Sequence, residues 1–451
     1  MTAEERIRLF EEISIQEAVR RQVIPAVISQ MIALAYNLAD TYFVGLLNHP
    51  AQTAAVTVSY APFLMLTAIA NLFGVGGAGA LSRALGTHDT RTAGKISALS
   101  FWMGLLASAC YAAVFGLLTG PILRLAGATA DTFAAAKGYA VWVIVLGGVP
   151  TGLSILLANL LRAEGRAKTA SFGVSLGGIL NMILDPLLIL PRFADLGAVG
   201  AGIATAISNS VSMVFFLLVI CRKHNDSVIR LAPKHLIQSG HHFHTVLAIG
   251  FPSALQYTLT VAAVAAQAKF VSHYPTQAVA ALGIAKKLDQ LPLYFSIGVS
   301  TGLLPLIAYH HASGNLERRR SALRIGLTIS FGFSVLCLLF YECFAPQLAS
   351  LFIREDDTVR YAAAFLRRMV TAMPLMSICY PMIIQFQAMK RAGEALLCSV
   401  LRKGVLDIPL LFFMDAVLPL YGLMWVQPIV DAISMVFCIC LYQRLKRKHV
   451  A

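Results

Sequence analysis

Apolar runs separated by short polar turns recur along the whole chain, and each is long enough to cross a hydrocarbon core of about 30 Å as a helix of about 20 residues. They read as twelve spans, at about 23–46, 52–81, 93–118, 134–160, 168–191, 196–220, 243–272, 278–308, 321–343, 359–388, 395–416 and 420–442. The runs are continuous and lack the roughly ten-residue alternation of barrel strands. They therefore predict an all-α integral membrane protein. Pro and Gly inside several runs (Pro62, Gly74, Pro150, Pro252, Pro292, Pro374, Pro381, Pro409) predict kinked or locally broken helices, because membrane neighbours can re-satisfy freed backbone groups.

The pattern also repeats. An offset of about 226 residues lays Ala54-Ala55-Val56 on Ala280-Ala281-Leu282, and Gly86-Thr87-His88-Asp89 on Ala312-Ser313-Gly314-Asn315. Two such halves predict two six-helix bundles: an amino lobe at 1–222, a linker at 223–242 and a carboxy lobe at 243–451. Repeated membrane halves are the build of many transporters, whose sites lie at mid-membrane between them.

Composition agrees: 58% of the 451 residues are hydrophobic and 13% charged, against about 25% charged in soluble proteins. The net charge of +14 is explained by position rather than by nucleic-acid binding. Lys and Arg crowd alternate turns (Arg83, Arg91 and Lys95; Arg162, Arg166 and Lys168; Arg222, Lys223, Arg230 and Lys234; Arg318, Arg319 and Arg320; Arg444, Lys446, Arg447 and Lys448). Outside that pattern fall Arg124, Lys137, Arg192, Arg354 and Arg360. The positive-inside rule then puts both termini and the linker in the cytoplasm. Both halves share one orientation, so the pseudo-two-fold axis runs along the membrane normal.

Residues 1–22 are amphipathic, with no cleavable signal, and are expected to lie along the cytoplasmic surface of the plasma membrane. The eight cysteines are expected to be free thiols. His241-His242-Phe243-His244 has no Cys or acidic partner at ligand spacing, so no metal is expected. No nucleophile–base constellation stands out, hence no catalytic residue, no enzyme activity and no cofactor. A monomer working on small molecules within the lipid bilayer is the expectation.

Polar residues inside the spans carry the functional signal, since an ionisable group there is expensive. Asp40 lies in the first span, with Tyr36 and Asn37 one turn before it on the same face; Asn181 and Asp185 share a face of the fifth. Asn159, Thr205, Ser208 and Asn209 lie in the fourth and sixth. Two carboxylates among neutral oxygens suit a proton or a hard monovalent cation. The plainer readings are that Asp185 stabilises a helix break at Pro186 and that Asp40 sits at a partly wet helix end. In the second half Lys286 or Lys287 can neutralise Asp289, and Arg402 or Lys403 can neutralise Asp407, with Asp431 in the last span. Tyr36, Phe63, Met65, Tyr257, Tyr294 and Phe295 are near-midspan candidates for contact with a cationic amphiphile.

Five stretches resemble the multidrug and toxic compound extrusion (MATE) family. They are Tyr36-Asn37-Leu38-Ala39-Asp40 through Gly45, with Phe73-Gly74-Val75-Gly76-Gly77 through Gly86; Leu161-Arg162-Ala163-Glu164-Gly165, with Asn181 through Pro186; and Gly197 through Thr205. The resemblance implies an antiporter exporting amphipathic, often cationic compounds by alternating access against an inward H⁺ or Na⁺ gradient. It assigns cation coupling to Asp40, Asn181, Asp185 and Thr205. Another branch of the family uses acids in the seventh and tenth spans, where this chain has Gln256, Gln267, Gln385 and Gln387. A lipid-linked oligosaccharide flippase of the same superfamily is the alternative, although its phosphates would call for several exposed cations in the cavity.

Overall fold

The computed structural model describes residues 2–47, 49–222, 226–237, 240–353 and 355–447; Lys223, Arg354 and Lys448 lie outside them. Among the described residues the secondary structure is entirely helical. A capping box between Thr2 and Glu5 starts α1 (Ala3–Ile7), and a π-turn (Arg8–Glu12) leads to α2 (Ile15–Gly45), where Ser14 accepts from the Glu17 N–H. Then follow α3 (Pro50–Gly86), α4 (Thr90–Leu117), α5 (Thr119–Leu125), α6 (Ala130–Ala140), a π-turn (Val141–Leu146), α7 (Gly148–Ala163), α8 (Ala167–Ile189) and α9 (Gly197–Arg222). After α10 (Lys234–Ile237) come α11 (Phe243–Val271), α12 (Thr276–Ala312), α13 (Leu316–Ser350), α14 (Asp356–Met369), α15 (Ala372–Ala388), α16 (Ala392–Val400), a π-turn (Leu401–Val405), α17 (Asp407–Val417) and α18 (Gly422–Arg447).

Among the described residues nine of these elements are long and apolar enough to span a membrane alone, and two bent pairs make further spans. The remaining span, α16 with α17, is interrupted by a π-turn that carries Arg402 and Lys403. The fold is twelve transmembrane helices in two six-helix bundles.

Only some prolines break their helices. Breaks or π-turns fall at Gly147, at Val370–Thr371 and at Leu401–Val405, each about one turn before Pro150, Pro374 or Pro409, where the ring clashes with the preceding carbonyl. The first two bend their spans by 50° and 45°. By contrast α3, α11, α12 and α15 run unbroken through Pro62, Pro252, Pro292 and Pro381.

The repeat extends to turn chemistry. Asp89 caps α4 by accepting from Thr92 N–H at 2.9 Å, and Asn315 caps α13 by accepting from Arg318 N–H at 3.1 Å. The residue before each cap has positive φ, 59° at His88 and 76° at Gly314. Both halves solve the same turn with left-handed backbone followed by an Asx cap.

The seam between the bundles is formed by α3 against α11 and α2 against α12, and it is closed at one end. A Cβ on Gly250 would lie 1.8 Å from the Leu72 carbonyl oxygen, and one on Gly76 would lie 2.2 Å from that of Val246. Small residues thus let the backbones touch. One apolar core containing Phe10, Val23, Phe73, Leu81, Ile249 and Leu303 bridges both bundles at this end. At the other end each bundle has a core of its own, around Val44, Phe115 and Tyr139 in the first and around Val271, Phe365 and Met424 in the second. The molecule is therefore joined at the end carrying residues 2–14.

Those residues correct one expectation. Phe10 is fully buried and stacks on Tyr309, with ring centroids 4.5 Å apart, while Glu11 accepts from the Tyr309 hydroxyl. Arg318 donates to the Phe10 and Ile13 carbonyls. The amphipathic segment turns its apolar side into the closed seam instead of lying flat, since burying a Phe contributes about 2–3 kcal/mol.

Candidate functional site

In the first bundle α8 is the hub. Gly177 and Gly178 sit side by side on it, so that α9 and α2 can both come close: a Cβ on Gly177 would lie 2.2 Å from Ser212 Oγ, and one on Gly178 2.9 Å from Ile32. One turn later α8 presents Asn181 and then Asp185 between those neighbours. Asp40 from α2 and Thr205 from α9 complete the group, and all four side chains are buried, Asp185 completely. Asn181 Nδ2 donates to Thr205 Oγ1 at 3.4 Å. Asp40 and Asp185 are near enough for their charges to act on each other, and Tyr36 and Tyr139 lie within the same electrostatic group.

Acceptors outnumber donors here. Asp40 Oδ1, Asn181 Oδ1 and both Asp185 oxygens are buried without a hydrogen-bond partner among the described residues. Buried oxygens without donors are costly, by about 1–3 kcal/mol each. Such a set fits a species that brings positive charge: a proton on a carboxyl, or a hard cation among oxygen ligands. Of the plainer readings, the break at Pro186 is absent, because α8 continues to Ile189, and Asp40 is only 9% exposed.

Packing at Gly178 sets the group's geometry, so Gly178→Val should push α2 off α8. We expect at least tenfold slower transport with the protein still present in the membrane; small-to-large changes cost about 1–3 kcal/mol. Transport at the wild-type rate would show that this contact does not position the group.

A second cluster lies at the seam. Asn37 donates to Ala33 O at 2.8 Å and to the Tyr294 hydroxyl, across the seam, at 3.4 Å. Tyr36, Tyr60 and Tyr257 lie near Tyr294 around this seam contact, with Tyr380 near Tyr257. Of the other aromatic candidates, Phe63 packs on the first bundle's own core. Phe295 stacks on Phe333 with centroids 3.8 Å apart inside the second bundle. Met65 is half-buried on α3. Tyr60, Tyr139 and Tyr380 were not singled out by sequence; the signal available was a Tyr within an apolar run, which does not say which way it faces.

In the second bundle the charges pair differently from the simple neighbour expectation. Arg402 Nε donates to Asp431 Oδ1 at 2.7 Å with both side chains buried, and its guanidinium lies 4.5 Å from the Tyr380 ring centre. Lys403 Nζ donates to Gln427 at 2.6 Å. The π-turn carries Arg402 into this pair with α18, while Asp407 lies close enough for Arg402 and Lys403 to act on its charge. Asp289, Lys286, Lys403 and Asp407 lie close enough together for their charges to act on one another. Gln387 donates to Ser253 at 2.9 Å and Gln267 to the Leu423 carbonyl at 3.2 Å.

Comparison with known proteins follows this geometry. The MatE family model matches twice, at residues 25–187 and 252–413. A multidrug export protein MepA from Staphylococcus saprophyticus is 27% identical over 430 residues, covering 95% of this chain and 94% of that protein. A MepA from Staphylococcus aureus is 28% identical over 424 residues, covering 94% and 92%. Among solved structures, an outward-facing MATE family transporter of the MOP superfamily superposes with a TM-score of 0.91 at 23% identity, covering 100% and 99%. A MATE transporter in the bent conformation superposes with 0.88 at 22% identity, again covering 100% and 99%.

Proposed function

We propose that this chain, which belongs to the MatE family of multidrug and toxic compound extrusion transporters, is a plasma-membrane antiporter that exports amphipathic cations by alternating access. Inward movement of H⁺ or Na⁺ at Asp40, Asn181, Asp185 and Thr205 drives it. The observation that carries this reading is the buried group of four acceptor oxygens without donors, set inside a membrane bundle. Relatives named as multidrug export proteins support the substrate class, and a flippase gains no support from them.

The lobes act as 1–222 and 243–451, joined by 223–242. With the basic turns in the cytoplasm, the closed end of the seam is the inner one and the separate cores lie outside. This is an outward-open arrangement. Substrate meets the seam tyrosines, whose rings offer cation-π contact worth roughly 0.5–2 kcal/mol each. Protonation or Na⁺ binding neutralises the carboxylates, lets the protonated carboxyl or the ion engage the Asn181 and Thr205 oxygens, and moves α2. Because α2 also forms the seam and carries Tyr36 and Asn37, its movement weakens the substrate surface. Ion and substrate then compete by linkage.

Vesicle transport tests this. In proteoliposomes loaded with a cationic dye, an imposed pH or Na⁺ gradient should drive dye movement at least tenfold faster than without a gradient. Equal rates with and without either gradient would overturn antiport.

A further inference from the structure

At the closed end, away from the coupling group, a cavity of about 640 Å³ opens between α1, the first turns of α4 and the segment 226–235. Its lining includes Arg6, Arg91, Lys95, Arg230 and Lys234 against one acid, Asp226. These cations come from three separate parts of the chain. Solvated basic turns of the positive-inside kind would point apart into water, whereas here they converge on one hollow. Arg6 is 8% exposed and lines the cavity, with the buried Glu164 carboxylate near enough to act on its charge.

The walls are fixed. Glu164, completely buried, accepts from Val228 N–H at 2.6 Å and from the Ser227 hydroxyl at 2.9 Å, with Arg166 3.5 Å away. Ser97 accepts from Arg230 N–H at 2.9 Å, and Trp102 Nε1 donates to the Leu231 carbonyl at 2.9 Å. The segment between the bundles is thereby tied to the fourth and seventh helices before any ligand arrives.

We infer that this cavity binds a phosphoryl anion, the chemistry shared by an anionic phospholipid headgroup and free phosphate. Arg and Lys from separate segments around a preformed volume are the recognition set that such an anion needs. An ion held there would cross-link α1, α4 and the inter-bundle segment, and so favour the closed seam.

The test uses the purified full chain in detergent, with short-chain phosphatidylglycerol, short-chain phosphatidylcholine and inorganic phosphate as probes in equilibrium binding. Phosphatidylglycerol should bind at least tenfold tighter than phosphatidylcholine. The exposed-face triple variant Arg91→Gln, Lys95→Gln, Lys234→Gln should lose at least tenfold, and Lys95→Arg should keep the affinity. Phosphate binding as tightly as phosphatidylglycerol supports the site and identifies a soluble ligand; weaker phosphate binding supports it and identifies the lipid. Equal binding of the two lipids, binding by the triple variant at wild-type affinity, or no binding of either anion would overturn the proposal.

Discussion

Asp40→Asn and Asp185→Asn should each abolish gradient-driven efflux, lowering it at least a hundredfold to the level of empty vesicles, while the protein still reaches the membrane. Asparagine keeps the size and supplies donors to neighbouring oxygens. It cannot take up a proton or offer a negative ligand to Na⁺. A hundredfold is about 2.7 kcal/mol, on the scale of losing one charged interaction in a dry site. The coupling group holds two carboxylates and no neutralising base within ion-pair distance among the described residues, so neither acid has a salt-bridge partner whose loss would explain misfolding. Dye efflux from cells and membrane abundance, measured together, check this. Wild-type efflux in both variants would refute the site, and loss only on changing Asp407 or Asp431 would move it to the second lobe.

The second large effect concerns stability. Arg402→Leu should destabilise the protein by about 3–5 kcal/mol, because it strands the buried Asp431 carboxylate, hydrogen-bonded at 2.7 Å, without its partner. The thermal unfolding midpoint in detergent should fall by about 3–5 °C. The double variant Arg402→Met, Asp431→Leu removes both charges, so its midpoint should return to near that of wild type, and its efflux should persist. A fully stable single variant would show that the pair is not holding α18 to the π-turn. A stable double variant without efflux would give these charges a transport role.

The spans were legible because their apolar runs match the membrane's thickness, and the faces of α2 and α8 were legible because Tyr36 and Asn37 with Asp40, and Asn181 with Asp185, stand about one helical turn apart. That spacing is a property of the helix alone. Which helices meet is not, and it depends here on Gly177 and Gly178, whose sequence signal is only the absence of a side chain. Tyr139 joins the group from α6, which packs against α3 and α9. Pairing in the second lobe was also hidden: the π-turn adds a residue to the turn at Leu401–Val405 and aims Arg402 at Asp431. Proline positions overstated the kinks, since neighbouring helices accommodate several of them within unbroken helix. The amphipathic start of the chain reads as a surface helix until Tyr309 and Arg318, some 300 residues away in sequence, provide the partners for Phe10 and Glu11.

Competition between substrate and ion at the first bundle is the central claim, and ion release on substrate binding tests it most directly. Purified protein in weakly buffered detergent solution is mixed with a cationic amphiphile such as tetraphenylphosphonium, with a pH indicator in one cell and a Na⁺-sensitive dye in another. The account predicts release of H⁺ or Na⁺ from the wild type as the cation binds, and none from Asp40→Asn or Asp185→Asn. Substrate binding that releases neither ion, or release of equal size from both variants, would contradict it.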